Sequence, residues 1–224
     1  MTIPLGNGNI SAVIFDLDGT LLDTLINLAA SYNHVLTKLG FPSHPIEAYR
    51  VFVGDGARTC MTRCLPPNSS EELIERALDL QREHYQKNWQ NQVTVYDGIL
   101  SLLNRLESKG IALAVLSNKD HQFTQQCVNH FFPTVNFSII QGFDTNVPHK
   151  PDPAGAKLIA ERLRLPGNEI AFVGDTEMDM KTANACSMFS IGVLWGFREE
   201  EELVGAAARK IVESPAQISD VLLL

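Results

Sequence analysis

Apolar residues follow two rhythms along this chain: short unbroken runs, and longer stretches in which they recur every three or four positions. Ala12-Val13-Ile14-Phe15 is a run of the first kind and stops abruptly at Asp16-Leu17-Asp18-Gly19-Thr20. It is too short for a helix, and its turn-like exit predicts a buried parallel strand. The second rhythm follows at once. Leu25, Leu28, Ala29, Tyr32, Val35, Leu36 and Leu39 predict a helix from about Thr24 to Leu39, closed by Gly40 and Pro42. Residues 45–90 continue as helix after helix, interrupted at Gly54-Asp55-Gly56 and Pro66-Pro67, with no strand-like alternation.

Strands and helices alternate again after Asp97-Gly98. Helices are expected at Ile99 to Ser108, up to about His130, at Ala154 to Leu163 and at Glu177 to Cys186. Strands are expected at Ile111 to Leu116, Phe137 to Ile140, Ile170 to Val173 and Ser190 to Leu194. Lys210 to Val212 and Gln217 to Leu224 supply a last strand and helix. Such alternation predicts an α/β fold, a doubly wound, mostly parallel, Rossmann-like sheet. The helical block becomes an inserted cap. The expected division is 1–23 and 94–224 for the catalytic core, with 24–93 for the cap.

Composition sharpens this picture. A chain of 224 residues, 45% hydrophobic, can bury a substantial core, and no low-complexity tract suggests disorder. The formal charge of −8 argues against a nucleic-acid partner, which needs a concentrated positive face. Cys60, Cys64, Cys127 and Cys186 form no CxxC pair and have no histidines at zinc-site spacing, so they read as small buried hydrophobes. Met1 to Asn9 lacks the basic and apolar regions of a leader, and no apolar stretch is long enough to span a bilayer. A cytoplasmic protein with no membrane partner is expected, and its oligomeric state is left open.

Ligands of open α/β sheets bind beyond the carboxyl ends of the strands. Those ends carry Asp16 and Asp18, Ser117 and Asn118, and Asp175, with Lys150 in the loop preceding the Asp175 strand. Carboxylates gathered at one edge repel one another, and a hard divalent cation such as magnesium resolves the repulsion with oxygen ligands. A lysine and a hydroxyl suit phosphate oxygens, and phosphoryl transfer needs chiefly in-line positioning and charge neutralisation. An aspartate can act as nucleophile, while a second one two residues on handles protons. Taken alone, Asp-x-Asp-Gly-Thr could equally be a polar turn capping a helix.

Asp16-Leu17-Asp18-Gly19-Thr20-Leu21-Leu22-Asp23 resembles the first motif of the haloacid dehalogenase-like hydrolases. Ser117-Asn118, Lys150 and Gly174-Asp175-Thr176-x-x-Asp179 are similar to the other three, in the same order, from about Ala12 to Trp195. This resemblance implies that Asp16 is nucleophile and magnesium ligand. Asp18 would be general acid/base and bind the metal through its carbonyl. Ser117 and Lys150 would hold the phosphoryl group, with Thr20 and Asn118 as further phosphate-contacting or supporting positions. Asp175 would ligate magnesium and Asp179 support the metal site. The aspartate at 18 favours phosphate esters, because relatives that dehalogenate or cleave carbon–phosphorus bonds lack it. A receiver module or dead relative would lack the helical insertion or one of Asp16, Asp18 and Asp175. Ser187 stands where such relatives place a glycine past the fourth-motif helix.

Phe52-Val53-Gly54-Asp55-Gly56-Ala57-Arg58 resembles the cap loop of bacterial phosphoglycolate phosphatases, as do Ser117-Asn118-Lys119 and Gly192 to Gly196. That implies a small phosphorylated metabolite as partner, phosphoglycolate foremost, with Gly54 and Arg58 as cap contacts. Pyrophosphate, sugar phosphates, nucleotides and a mutase reaction use the same scaffold. Arg58 has a second reading as half of a surface salt bridge. Trp195 and Phe197 read as packing residues, and Glu199 to Glu202 as a solvated helix start.

Overall fold

The computed structural model describes residues 10–222. The polar opening segment Met1 to Asn9 and the end of the last expected helix, residues 223–224, lie outside the described residues. The chain starts with β1 (Ala12–Phe15), fully buried, then β2 (Leu22–Asp23) and the helix α1 (Leu25–Lys38). A 3₁₀ turn (Ile46–Ala48) leads into α2 (Tyr49–Phe52), α3 (Ala57–Cys64) and α4 (Glu71–Asn88). The Ser70 hydroxyl caps α4 by accepting from the Leu73 amide at 3.2 Å. The chain returns through β3 (Thr94–Val95), α5 (Ile99–Ser108), β4 (Ala112–Asp120), α6 (His121–Phe131) and β5 (Phe137–Phe143). It finishes with α7 (Ala154–Leu163), β6 (Ile170–Gly174), α8 (Glu177–Ala185), β7 (Phe189–Val193), α9 (Glu200–Gly205), β8 (Lys210–Val212) and α10 (Pro215–Val221).

Among the described residues six strands form one sheet in the order β5-β4-β1-β6-β7-β8, with every pairing parallel. The sheet has helices on both faces, as expected of the doubly wound class. Side chains of β1 divide between those faces with period two. Val13 and Phe15 join a cluster with Leu103, Leu106, Val115 and Val173; Ala12 and Ile14 join another with Ile159, Phe172 and Met188. That two-sided burial is why the strand reads as a continuous apolar run.

Helices α1 to α4 close around a hydrophobic cluster of their own, built on Tyr32, Val35, Leu36, Tyr49, Met61 and Tyr85. Phe197, from the loop after β7, is buried in that same cluster. Two short strands, β2 and β3, pair antiparallel where the chain leaves and re-enters the sheet layer. Two residues each are too few to show a period, so the sequence carries no sign of them.

Two further departures have local causes. Strand β4 runs to Asp120 instead of ending at Leu116, because Ser117, Asn118 and Lys119 extend the backbone through an irregularity in its pairing with β5. Helix α10 begins at Pro215 rather than Gln217, with proline at the position where a missing N–H costs nothing. Ser187 takes the left-handed conformation expected at its position, φ 56°. The Met188 and Ser187 amides donate back to the Ala183 and Asn184 carbonyls at 2.9 and 3.1 Å, a Schellman closure made without glycine.

Candidate active site

Asp16 follows β1 and is fixed by its own backbone, whose amide donates to the Val173 carbonyl of β6 at 2.9 Å. Its Oδ1 lies 2.8 Å from Lys150 Nζ. The same ammonium donates to Asp179 Oδ1 at 2.6 Å. Asp179 Oδ2 accepts from both the amide and the hydroxyl of Thr176, at 3.0 and 2.8 Å, forming the capping box of α8. One residue therefore ties the helix start to the lysine that grips Asp16.

Asp175 follows β6 and is wholly buried. Its Oδ1 accepts from the Thr20 hydroxyl at 3.2 Å and its Oδ2 from the Phe197 amide at 2.7 Å. Two glycines make this enclosure possible. A Cβ on Gly19, which has φ +85°, would stand 2.3 Å from Asp175 Oδ2, and one on Gly196 would stand 2.3 Å from Asp175 Cβ. Ligand atoms of Asp16, Asp175 and Asp179 all lie within 4.8 Å of one another.

Burial pushes the Asp16 carboxyl up to about 7; Lys150 opposes the rise, while Asp179 and Asp18 add to it. Asp175 is pushed well above the ordinary carboxylate range by burial, and further by Asp16 and Asp179. Lys150 moves the other way from what burial alone would cause. Its pKa rises because Asp16 and Asp179 favour the ammonium. Four carboxylates, Asp16, Asp18, Asp175 and Asp179, thus face two ammonium groups, those of Lys150 and Lys119. When all four are ionised the carboxylates outnumber these ammonium groups, and the donor set is all oxygen. These residues fit a hard cation such as magnesium.

The remaining expected residues fall into three groups. Ser117 is buried in the last part of β4, its hydroxyl accepting from the Lys119 amide at 3.3 Å. Thr20 and Asn118 have their side chains engaged by protein. Thr20 supports Asp175, and Asn118 takes the Lys150 amide on its Oδ1 at 2.7 Å. Asn118 Nδ2 donates to the carbonyls of Gly54 and Lys150, at 2.8 and 3.1 Å. Both side chains are thus held in place at the site by protein partners. Gly54, φ +112°, reaches the site edge by lending that carbonyl. Arg58 does not: its exposed guanidinium pairs with Glu71 and Glu75 of α4, so of the two readings the surface ion pair is the one present.

Four residues outside the expected set matter here. Lys119 Nζ reaches both Asp18 Oδ2 and the Tyr85 hydroxyl of α4, each at 2.9 Å. Arg198 donates from Nη2 to the Val53 carbonyl at 2.7 Å, and Arg50 from Nη1 to the Gly196 carbonyl at 3.0 Å. The helical layer is thereby held to the sheet layer by cations on backbone oxygens. A lysine that continues a buried strand was the one available sign of this in the sequence.

The profile of the haloacid dehalogenase-like hydrolases matches residues 13–193, which hold all four motifs. The chain is a haloacid dehalogenase-like hydrolase. By class it is a phosphoric monoester hydrolase. It is 31% identical to a phosphoglycolate phosphatase of Pseudomonas putida over 94% of this chain and 76% of that one. The corresponding enzyme of Pseudomonas syringae pv. tomato is 30% identical, with the same coverage. A crystal structure of a protein from Lactobacillus delbrueckii subsp. bulgaricus superimposes with a TM-score of 0.90 at 28% identity, covering 96% of this chain and 98% of that one. Among the described residues no helix is long and apolar enough to cross a membrane.

Proposed function

We propose that this hydrolase is a magnesium-dependent phosphatase acting on a small phosphate monoester through an aspartyl-phosphate, with phosphoglycolate as its substrate. The observation that carries the reading is the buried arrangement in which Lys150 ties Asp16 to Asp179 beside Asp175. Magnesium, when bound by Asp16, Asp175, the Asp18 carbonyl and the supporting Asp179, supplies positive charge against the transferring phosphoryl oxygens.

Asp16 attacks phosphorus through a carboxylate oxygen. As that O–P bond forms, the bond from phosphorus to the ester oxygen breaks, and the Asp18 carboxyl delivers its proton to the departing alkoxide. Water then attacks the aspartyl-phosphate, giving its proton to Asp18, and the Asp16 carboxylate leaves with inorganic phosphate as product. Lys150 and the Ser117 hydroxyl hold the phosphoryl oxygens, while Thr20 and Asn118 keep Asp175 and Lys150 in place. Residues 24–93 act as a cap that excludes water over the catalytic core of 1–23 and 94–224.

Phosphoglycolate is favoured by the relatives that carry that name, and by the buried guanidinium of Arg198, which suits a leaving group that bears a carboxylate. Four free cysteines suit a reducing, cytoplasmic setting. The test is phosphate release from the purified protein with magnesium across phosphoglycolate, pyrophosphate, hexose phosphates and nucleoside monophosphates. Phosphoglycolate should lead, and both Asp16→Asn and chelation should cost at least about 10³-fold. An Asp16→Asn protein with undiminished turnover would remove the nucleophile assignment, and a leading ester of another kind would remove the substrate.

A further inference from the structure

Lys119 is the buried cation that the four motifs leave without a task. Its backbone is fixed on two sides: the amide donates to Ser117 Oγ at 3.3 Å, and the carbonyl accepts from the Thr124 hydroxyl at 3.2 Å. Strand β5 presses close as well, for a Cβ on Gly142 would stand 2.6 Å from the Lys119 carbonyl oxygen. The side chain is only 7% exposed. Its ammonium bridges two layers of the molecule, meeting Asp18 Oδ2 from the sheet layer and the Tyr85 hydroxyl from α4, both at 2.9 Å. Tyr85 is itself held edge-on by Phe123 of α6, with ring centroids 4.9 Å apart.

The consequence for Asp18 lies in its two oxygens. Oδ2 is taken by Lys119, while Oδ1 is buried with no hydrogen-bond partner among the described residues. A carboxylate free to rotate would present either oxygen, in many orientations, to a leaving group. Gripped by one oxygen, it presents the other along a single direction. Proton transfer in the transition state depends on such pre-set geometry. The arrangement has the logic of a third group that orients a catalytic base from its far side.

We propose that Lys119 is a positioning residue that aims Asp18 Oδ1 at the ester oxygen, and that Tyr85 of α4 sets Lys119, so that seating the helical layer completes the acid. This rests on the reading of Asp18 as the group that protonates the leaving oxygen. The proton delivered from Oδ1 meets the alkoxide as the phosphorus–oxygen bond breaks, and Lys119 keeps its own protons throughout.

The experiment compares two esters. Phosphoglycolate has an alkoxide leaving group that needs a proton; p-nitrophenyl phosphate has one that departs without it. The comparison uses kcat/KM, which covers only steps through transfer to Asp16. Lys119→Met should lower kcat/KM for phosphoglycolate by about 100-fold and that for p-nitrophenyl phosphate by less than about threefold. Tyr85→Phe should shift the same ratio by about three- to tenfold, and serves if Lys119→Met does not fold. Asp18→Asn is the reference. If it discriminates between the esters while Lys119→Met and Tyr85→Phe lower both equally, the positioning role is overturned and Asp18 stands. If Asp18→Asn itself lowers both equally, the acid assignment falls, and the proposal with it.

Discussion

Arg58 and Arg198 carry the same guanidinium into opposite surroundings. Arg58 lies on the outside of α3, where Glu71 and Glu75 of α4 meet it in water. Arg198 is 9% exposed, bound through Nε to Glu202 and through Nη2 to the Val53 carbonyl, and its Nη1 is buried without a partner among the described residues. A desolvated cation exerts far more force on its neighbours than a screened one. Arg58→Ala is therefore expected to leave kcat/KM for phosphoglycolate and the melting temperature within error of the native values. A tenfold rise in KM would return Arg58 to the substrate. Nothing in the sequence could separate the two arginines, because the partners of Arg58 belong to the next helix and its exposure is set by tertiary packing. The aspartates differ in this respect. Asp16 and Asp175 end apolar runs that can only be buried strands, so their meeting point follows from the topology rule for parallel sheets.

At the scale of elements, the strands were legible wherever burial on both faces left an unbroken apolar run, as in β1 and β6. Helix ends were legible at Gly40 and Gly110, which take φ +80° and +73°. The far end of β4 was not, since Ser117, Asn118 and Lys119 extend a strand with polar residues, and Asn118 and Lys119 find side-chain partners 32 and 34 positions away. The loop between α2 and α3 shows how much one element end can carry. Val53 and Gly54 lend carbonyls to Arg198 and Asn118, and Gly56 lies against His149, whose ring stacks on Phe143 with centroids 3.7 Å apart. Gly56 has φ 88° and ψ 164°, a region other residues almost never occupy, and a Cβ there would stand 2.4 Å from His149 Nε2. Gly56→Ala should cost about 1–3 kcal/mol in backbone strain alone. Thermal unfolding would register that as a fall of roughly 2–10 °C. Because the loop must shift off His149, kcat/KM should fall by about tenfold or more. A variant with native melting temperature would mean that the loop tolerates a side chain and bears no strain.

The whole molecule folds around charge that its own residues do not balance. Its formal charge is already −8, and Asp16 and Asp175 are buried within one site. The cost of that burial depends on protons. Asp16 has a pKa of about 7 in the folded chain against 3.8 for a free carboxyl, so the folded state holds its proton more tightly than the unfolded state. The stabilisation from that proton is present in full below the unfolded value and is lost as pH rises through about 7; Asp175 is raised in the same direction. Metal-free protein should therefore melt at progressively lower temperature between pH 5 and pH 8. Each tenfold difference in proton affinity between the folded and unfolded chain is worth roughly 1.4 kcal/mol. The loss is then of the order of a few kcal/mol, or about 5–10 °C. On the proposed reading magnesium would bind the ionised carboxylates, so its stabilisation should be small at pH 5 and grow towards pH 8. Asp16→Asn removes one charge at no cost in shape, and the metal-free variant should melt above the native protein at pH 8 with a flatter pH profile. Melting curves at both pH values, with magnesium and with chelator, test all of this together. A magnesium effect independent of pH would mean that the cation acts outside the carboxylate cluster, and an unchanged Asp16→Asn profile would place the unbalanced charge on another residue.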